Sequence, residues 1–331
     1  MLEIKYCPGT LAPGHTTYSR ACLNGLFEGK KVSHLLPYSA SADPEDADRL
    51  RENRKRISIS GVQIKASLVL DKNKLRLTQP GERGQYILKP IPYDVDYPEY
   101  VPANEHLTMQ IAKQVYKISV AENALVFFKD GPPAYLTKRF DVKPDGTKYG
   151  QEDFASLSNR TKETAGDDFK YKGSYEGIGQ LIRQYVLAAP VELLKFFQLV
   201  LFNYLFNNGD AHLKNFSLIE TTFGDYILSP AYDLICTSLH VKDSFFALEN
   251  GLFEEDDPEG HLYTLGCYTG SDFLRWGIRL GLPEKALRAS LAFFRTDHPF
   301  THELIGRSFL SEALKEQYRQ DYLNRLRAIQ Q

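Results

Sequence analysis

The sequence predicts an α+β fold with two lobes, a small β-rich N-lobe over residues 1–137 and a larger helical C-lobe over residues 138–331. Short strand-like runs, punctuated by glycine and proline, concentrate before residue 141. Long segments with helical periodicity follow Glu152. The length of 331 residues suits two such units, since domains usually have about 100–200 residues.

The composition excludes several classes of protein. A net charge of −2 leaves no concentrated basic surface, so autonomous binding to nucleic acid is not expected. No apolar run approaches the roughly 18 residues of a membrane-spanning helix, and the first residues lack the apolar core of a signal peptide. The four cysteines have no short paired spacing, which argues against a disulfide framework or zinc ribbon. We therefore expect a cytoplasmic protein without a membrane segment.

The N-lobe begins its recognisable elements with a hairpin predicted over residues 57–70, whose tip carries Gly61. Glycine lets a backbone approach a ligand closely, and amides at such a tip can donate to phosphate oxygens. An ordinary turn without a ligand is the alternative. Ser58 and Ser60 would lie near a bound γ-phosphate and are therefore candidate self-phosphorylation sites.

Two charged residues follow in this lobe. Lys89 ends a strand-like run, where it is either a solvent-facing lysine or one that holds the α- and β-phosphates of a nucleotide. A helix is predicted from residue 103, with Leu107, Ile111 and Val115 spaced by four. Glu105, in its first turn, could pair with Lys89, although acidic residues are favoured at helix starts in any case.

Strands predicted at residues 121–128 and 134–140 complete the N-lobe. The second strand leads into residues 138–141, which would form the hinge between the lobes. Six helices are then predicted, at residues 152–158, 174–187, 191–206, 271–280, 284–294 and 311–327.

The stretch with the clearest chemistry is residues 207–217, which follows the long apolar helix. Asp210 precedes Asn215 by five positions, which is the spacing of a kinase catalytic loop. Further on, a lone aspartate, Asp233 in residues 229–235, is suited to be a metal ligand. The spacing alone is shared by several phosphotransferases.

Taken in order, these motifs resemble the HipA family of serine/threonine kinases, the toxins of bacterial toxin–antitoxin modules. The matching segments are residues 58–65, 88–89, 104–105, 138–141, 208–215 and 229–233. The resemblance implies a protein-kinase-like fold that uses ATP and Mg²⁺. It also implies the transfer of phosphate to a serine or threonine of another protein.

The resemblance assigns a role to each matched residue. Asp210 would be catalytic, Asn215 and Asp233 would hold Mg²⁺, and Glu105 would form a structural ion pair. The ATP-binding residues would be Ser60, Gly61, Val62, Gln63, Lys65, Lys89, Lys138, Phe140 and His212. His212 could equally serve only to structure its loop. Phosphate on Ser58 or Ser60 would repel the phosphates of ATP and lower activity.

Full-length family members carry a further subdomain before the kinase core, whereas here the glycine-rich loop begins by Ser58. The chain thus resembles the short form, HipT, of HipB–HipS–HipT systems. The resemblance implies a DNA-binding HipB-like antitoxin and a small HipS-like protein as partners. It implies an aminoacyl-tRNA synthetase as substrate, with tryptophanyl-tRNA synthetase favoured.

Two other functions remain open. Phosphoinositide kinases and aminoglycoside phosphotransferases also carry an aspartate and a later asparagine in this loop, so a lipid or small-molecule kinase is the nearest enzymatic alternative. A pseudokinase scaffold in a HipB-like repressor complex is the other. Loss of Lys89, Asp210 or Asp233 would indicate a pseudokinase, and all three are present.

Overall fold

A computed structural model describes residues 4–40, 65–93, 95–255 and 260–331. Within these ranges a five-stranded antiparallel sheet has the order β2-β1-β3-β5-β4. Its strands are β1 (Ala66–Asp71), β2 (Lys74–Leu77), β3 (Tyr86–Lys89), β4 (Asn123–Phe127) and β5 (Pro133–Lys138). A second antiparallel sheet contains β6 (Gln151–Asp153), β7 (Ser217–Glu220) and β8 (Tyr226–Leu228).

The helices of the described residues lie mostly after the large sheet. They are α1 (Arg20–Phe27), α2 (Val101–Gln114), α3 (Phe154–Leu157), α4 (Lys162–Ala165), α5 (Tyr175–Tyr185), α6 (Ala189–Leu205), α7 (His261–Leu265), α8 (Gly270–Arg279), α9 (Glu284–Phe294), α10 (Pro299–Arg307) and α11 (Glu312–Gln330). None of the described helices combines the length and the apolar character needed to cross a membrane.

Strand β3 lies at the centre of the large sheet, between β1 and β5. Its last residue, Lys89, is paired with Tyr135 of β5, and the lysine Nζ lies 5.3 Å from the centre of that tyrosine ring. A central strand is covered on both faces, so Lys89 is only 2% exposed. This register carries a charged side chain into the interior.

Helix α2 packs against both the large sheet and the helical part of the chain. Every residue from Val101 to Ala112 is buried, because the helix contacts β4 and β5 on one side and α10 on another. Pro102 lies in its first turn, where a proline costs no hydrogen bond, so the helix begins at Val101, slightly before the predicted residue 103. Helix α2 therefore shares one hydrophobic core with strands β4 and β5 and with the later helices.

Helix α6 forms the centre of the helical part. Its apolar sequence is buried on nearly all sides, as expected of a helix that is hydrophobic all round. The ring of Phe197 stacks on Trp276 of α8 at 5.5 Å and 22°. The helix ends at Leu205, directly before the loop that carries Asp210.

All six helices predicted after residue 150 are present; the one predicted over residues 284–294 has those bounds, and the other five have shifted ends. The segment predicted as a helix over residues 152–158 is shorter, because Asp153 caps it by accepting the Ser156 N–H at 2.9 Å, and the preceding residues pair as β6. The second sheet was not predicted. Its strands have three or four residues each, too few for a period of two to emerge.

We expect Phe197→Ala to lower the free energy of unfolding by about 3–5 kcal/mol, because it removes a fully buried ring from the α6–α8 contact. Urea unfolding followed by the fluorescence of Trp276, the single tryptophan, measures it directly. Phe223→Ala is the matched control, since this ring is 94% exposed and its loss should change stability by less than about 0.5 kcal/mol. Equal effects of the two substitutions would contradict the packing described for α6.

Candidate active site

Lys89 bridges two carboxylates that come from distant parts of the chain. Its Nζ lies 2.5 Å from Oε1 of Glu105 on α2 and 2.5 Å from Oδ1 of Asp233. The structure thus brings together the lysine, the helix glutamate and the downstream aspartate suggested by the sequence. Lys65, just before β1, adds a second ammonium 3.6 Å from Oδ2 of Asp233.

Burial and charge act in opposite directions on this group. Burial disfavours the ammonium of Lys89, but the Asp233 and Glu105 carboxylates outweigh it and raise its pKa. Burial likewise opposes ionisation of Asp233, yet Lys65 and Lys89 hold its pKa well below the usual range. Burial raises the pKa of Glu105 to about 6. The lysine and Asp233 are therefore charged at neutral pH.

Hydrogen bonds fix the two carboxylate-bearing segments against each other. The Asn104 side chain donates to the carbonyl of Cys236 at 2.8 Å and accepts the Cys236 N–H at 3.2 Å. This pair ties the start of α2, where Glu105 lies, to the segment just after Asp233. Asp233 itself has φ of 56°, a left-handed conformation that is uncommon outside glycine and often marks a functional residue.

The loop carrying Asp210 is held by close backbone contacts. Thr237 Oγ1 accepts the Gly209 N–H at 2.8 Å and donates to the Asn207 carbonyl at 2.8 Å. A Cβ on Gly209 would lie 2.2 Å from the Asp243 carboxylate and 2.7 Å from the Ser244 carbonyl, so only glycine fits there. The side chain of Asp210 is left 54% exposed at the surface of the loop.

The remaining loop residues point toward Asp233. Asn215 places Nδ2 3.4 Å from Asp233 Oδ2, while its Oδ1 accepts the His212 N–H at 3.1 Å. Burial lowers the pKa of His212 to about 4, so this imidazole is neutral at physiological pH. The segment therefore presents one exposed carboxylate and one amide beside the ion pairs.

Two cavities meet at these side chains. A cleft of about 450 Å³, the hinge-side cleft, runs from Lys89 to residues 138–141 and is lined by Thr137, Phe140 and Tyr232 among others. A cavity of about 520 Å³, the Asp210 cavity, lies on the other side of the ion pairs. The two share Lys65, Lys89, His212, Asn215 and Asp233. The two cavities are therefore adjacent, with these five side chains between them.

The hinge residues have mixed surroundings. Lys138 lines the hinge-side cleft, but its Nζ lies 2.8 Å from Oε1 of Glu28, so the ammonium is already paired. The backbone N–H groups of Lys138 and Arg139 donate to other carbonyls. Phe140 faces the cleft with its ring 5.7 Å from that of Tyr232, which provides a flat apolar wall suited to a base.

The side chains present can supply part of the coordination shell of a magnesium ion. Asp233 offers a charged carboxylate, and Asn215 Oδ1 retains a second lone pair. No group of three or more His, Cys, Asp or Glu side chains among the described residues is arranged to hold a metal. Magnesium commonly takes only one or two carboxylates from the protein and completes its shell with phosphate and water.

The predicted phosphate-covering residues Ser58, Ser60, Gly61, Val62 and Gln63 lie outside the described residues, whereas Lys65 is at the site. The structure also adds residues that the sequence did not indicate. Tyr171 donates its hydroxyl to Asp210 Oδ1 at 3.0 Å, and Arg325 of α11 lies 2.7 Å from Asn207 Oδ1. No local pattern marks either residue, because both reach the loop from remote segments.

Comparison with known proteins identifies relatives of this chain. A family model described as the HipA-like C-terminal domain matches residues 57–292. A putative kinase of Haemophilus influenzae is 29% identical over 282 residues, which are 82% of this chain and 80% of that protein. The serine/threonine-protein kinase toxin HipA of Shewanella oneidensis is 27% identical over 256 residues, which are 72% of this chain and 55% of the toxin.

Two solved structures share the fold. HipA of Shewanella oneidensis MR-1, in complex with HipB and operator DNA, aligns with a TM-score of 0.64 and 22% identity, covering 83% of this chain and 65% of HipA. The Helicobacter pylori proinflammatory kinase CtkA aligns with a TM-score of 0.51 and 17% identity, covering 80% and 93%. The predicted α+β, kinase-like fold is therefore confirmed. The chain spans less than two thirds of the HipA chain.

We expect Lys89→Met to lower the free energy of unfolding by about 3–5 kcal/mol, since it leaves two carboxylates without their shared cation. Unpaired Glu105 then has a folded-state pKa even further above its unfolded value of 4.5, so the folded state binds more protons. The deficit should therefore grow as the pH rises from about 5 to about 8.

Urea unfolding at several pH values measures this deficit. Lys65→Met is the matched control, because Lys65 is partly exposed and 3.6 Å from Asp233, and it should cost less than about 1 kcal/mol. A deficit for Lys89→Met that is constant with pH would argue against the shared ion pair.

Proposed function

The chain belongs to the family of HipA-like C-terminal domains, and from this we propose that it is an ATP-dependent serine/threonine protein kinase. The observation that carries the proposal is the pairing of Lys89 with both Glu105 and Asp233, next to the exposed carboxylate of Asp210. Phosphoryl transfer requires mainly positioning and neutralisation of charge, which a lysine, two aspartates and an amide can supply.

In the proposed reaction, ATP lies in the hinge-side cleft with its base against Phe140 and its phosphates near Lys89 and Lys65. Lys89 would hold the α- and β-phosphates in place of one of its present carboxylate partners. Mg²⁺, when held by Asp233 and Asn215, would neutralise charge on the β- and γ-phosphates. Asp210 would orient the acceptor hydroxyl and accept its proton as the oxygen bonds to the γ-phosphorus, while the bond from that phosphorus to the β–γ bridging oxygen breaks and ADP leaves.

Other residues would support this geometry. Neutral His212 lines both cavities and could contact the phosphates without adding charge. Ser60, Gly61, Val62 and Gln63 would cover the phosphates with backbone amides. The lobes would divide at residue 138. Lys138 would form part of the cleft wall, because its ammonium is paired with Glu28.

We further propose that the kinase is the toxin of a bacterial toxin–antitoxin system, a HipT-like short form acting in the cytoplasm. Its partners would be a HipB-like DNA-binding antitoxin and a small HipS-like protein, and its substrate an aminoacyl-tRNA synthetase, tryptophanyl-tRNA synthetase first. The support is the similarity to the HipA toxin and to a HipA chain solved with HipB and operator DNA.

A kinase assay with Mg-ATP and a panel of purified aminoacyl-tRNA synthetases tests the function. We expect one synthetase to be phosphorylated by the wild type, and Asp210→Ala to reduce the rate by at least about 100-fold, the lower range for loss of acid–base catalysis. Labelling that is equal in the two proteins would overturn the catalytic role of Asp210. Labelling of none would favour a scaffold, and labelling of lipids or small molecules alone would favour the other kinase classes.

Self-phosphorylation is tested separately by mass spectrometry after incubation with Mg-ATP. We expect phosphate on Ser58 or Ser60 in the wild type and none in Asp210→Ala. The added charge of about −1.5 to −2 should repel ATP and lower the activity of the modified fraction. If neither serine carries phosphate in the wild type, this mode of regulation is wrong.

A further inference from the structure

The Asp210 cavity lies on the side of the ion pairs away from the hinge. One wall includes Pro92, Val95 and Val101, and another includes Ile235 and Val241 from the segment after Asp233. Asp210 lies at its edge, so the cavity is continuous with the proposed site of transfer. Its volume of about 520 Å³ is within the range of sites that enclose a side chain or small ligand.

Much of the cavity wall is apolar. Val95 and Val101 contribute from the N-terminal side and Ile235 and Val241 from the other. Val241 is 41% exposed, so part of this apolar surface is open to solvent. A ligand that covers these side chains would gain from the area it removes from water.

Tyr171 marks where an acceptor hydroxyl would bind. Its hydroxyl donates to Asp210 Oδ1 at 3.0 Å, the hydrogen bond that the proposed mechanism requires of the substrate serine or threonine. Its ring lies 5.3 Å from that of His212, against the shared residues of the two cavities. A substrate hydroxyl that binds Asp210 Oδ1 would therefore compete with the Tyr171 hydroxyl.

His240 also lines this cavity and carries a buried nitrogen without a hydrogen-bond partner among the described residues. This residue is 5% exposed, and its Nδ1 lies 2.7 Å from the Asp96 carbonyl oxygen, which can only accept. Nδ1 therefore carries the proton, and burial lowers the pKa of the ring, so Nε2 is bare. Nε2 has no hydrogen-bond partner among the described residues, and a buried acceptor of this kind gains from a donor in the ligand.

We propose that the Asp210 cavity is the docking site for the acceptor segment of the substrate protein. An apolar side chain close to the phosphorylated residue would pack against Val95, Val101, Ile235 and Val241. A backbone N–H of the segment would donate to His240 Nε2, and the acceptor hydroxyl would replace that of Tyr171. This inference rests on the proposed kinase function and specifies its substrate class.

The test is a set of serine peptides in which each position from four before to four after the serine is varied in turn. With Mg-ATP, we expect one position near the serine to favour leucine, isoleucine, valine or phenylalanine over aspartate or lysine by about tenfold in kcat/KM. Val241→Asp should remove that preference and shift it toward lysine or arginine at the same position, with the KM for ATP unchanged. Val191→Asp, at a 57% exposed valine on α6, is the matched control and should leave the preference intact.

Three further substitutions test the polar contacts. His240→Asn retains a donor for the Asp96 carbonyl but loses the Nε2 acceptor, so the KM for the preferred peptide should rise severalfold. His240→Gln places an acceptor near the position of Nε2 and should recover part of that loss. Tyr171→Phe should lower the same KM severalfold, because the acceptor no longer competes with the tyrosine hydroxyl.

The outcomes separate the two proposals. If the wild type phosphorylates neither itself, a synthetase nor any peptide, the kinase function and this inference both fail. If it phosphorylates a protein or peptide but no position prefers apolar residues, or Val241→Asp leaves the preference unchanged, only the docking site is wrong. A rise in KM that is equal for His240→Asn and His240→Gln would refute the contact with Nε2.

Discussion

The bridge from Lys89 to Glu105 and Asp233 is the interaction on which the rest of the site depends. The two carboxylates lie 16 and 144 positions from the lysine in sequence, and they belong to helix α2 and to the segment after the second sheet. A buried ammonium is costly unless it is paired, so the central strand, the helix and the downstream segment must be held together. The two hydrogen bonds between Asn104 and Cys236 maintain that arrangement, because Asn104 directly precedes Glu105 on the helix.

This bridge also separates two spaces with different chemistry. The hinge-side cleft offers aromatic rings and cations, which suit a base and its phosphates, while the Asp210 cavity offers valines, an isoleucine and a buried acceptor. Lys65, Asn215 and His212 belong to both. In the proposed kinase, phosphate would pass between the two spaces at the only side chains that they share among the described residues.

Much of the site could be predicted because its residues follow short patterns. Asp210 and Asn215 lie in one loop after a long apolar helix, and Lys89 ends a hydrophobic strand, so local sequence was enough to nominate them. Tyr171, Arg325 and His240 could not be nominated in this way. Each reaches the site from a segment that carries no motif, and only the packing of remote elements brings its side chain to the loop or the cavity.

The sequence by itself determined the class of fold and the concentration of the large sheet before most of the helices, and it nominated residues for phosphoryl transfer, because periodicity and motif spacing are properties of neighbouring positions. The tertiary structure decided which charges pair, among them Lys138 with Glu28, and that Tyr171 contacts Asp210. It also decided the short second sheet, in which β6 pairs with β7 far along the chain. Pairing energies of this kind depend on distances in space, which the spacing of residues along a chain does not specify.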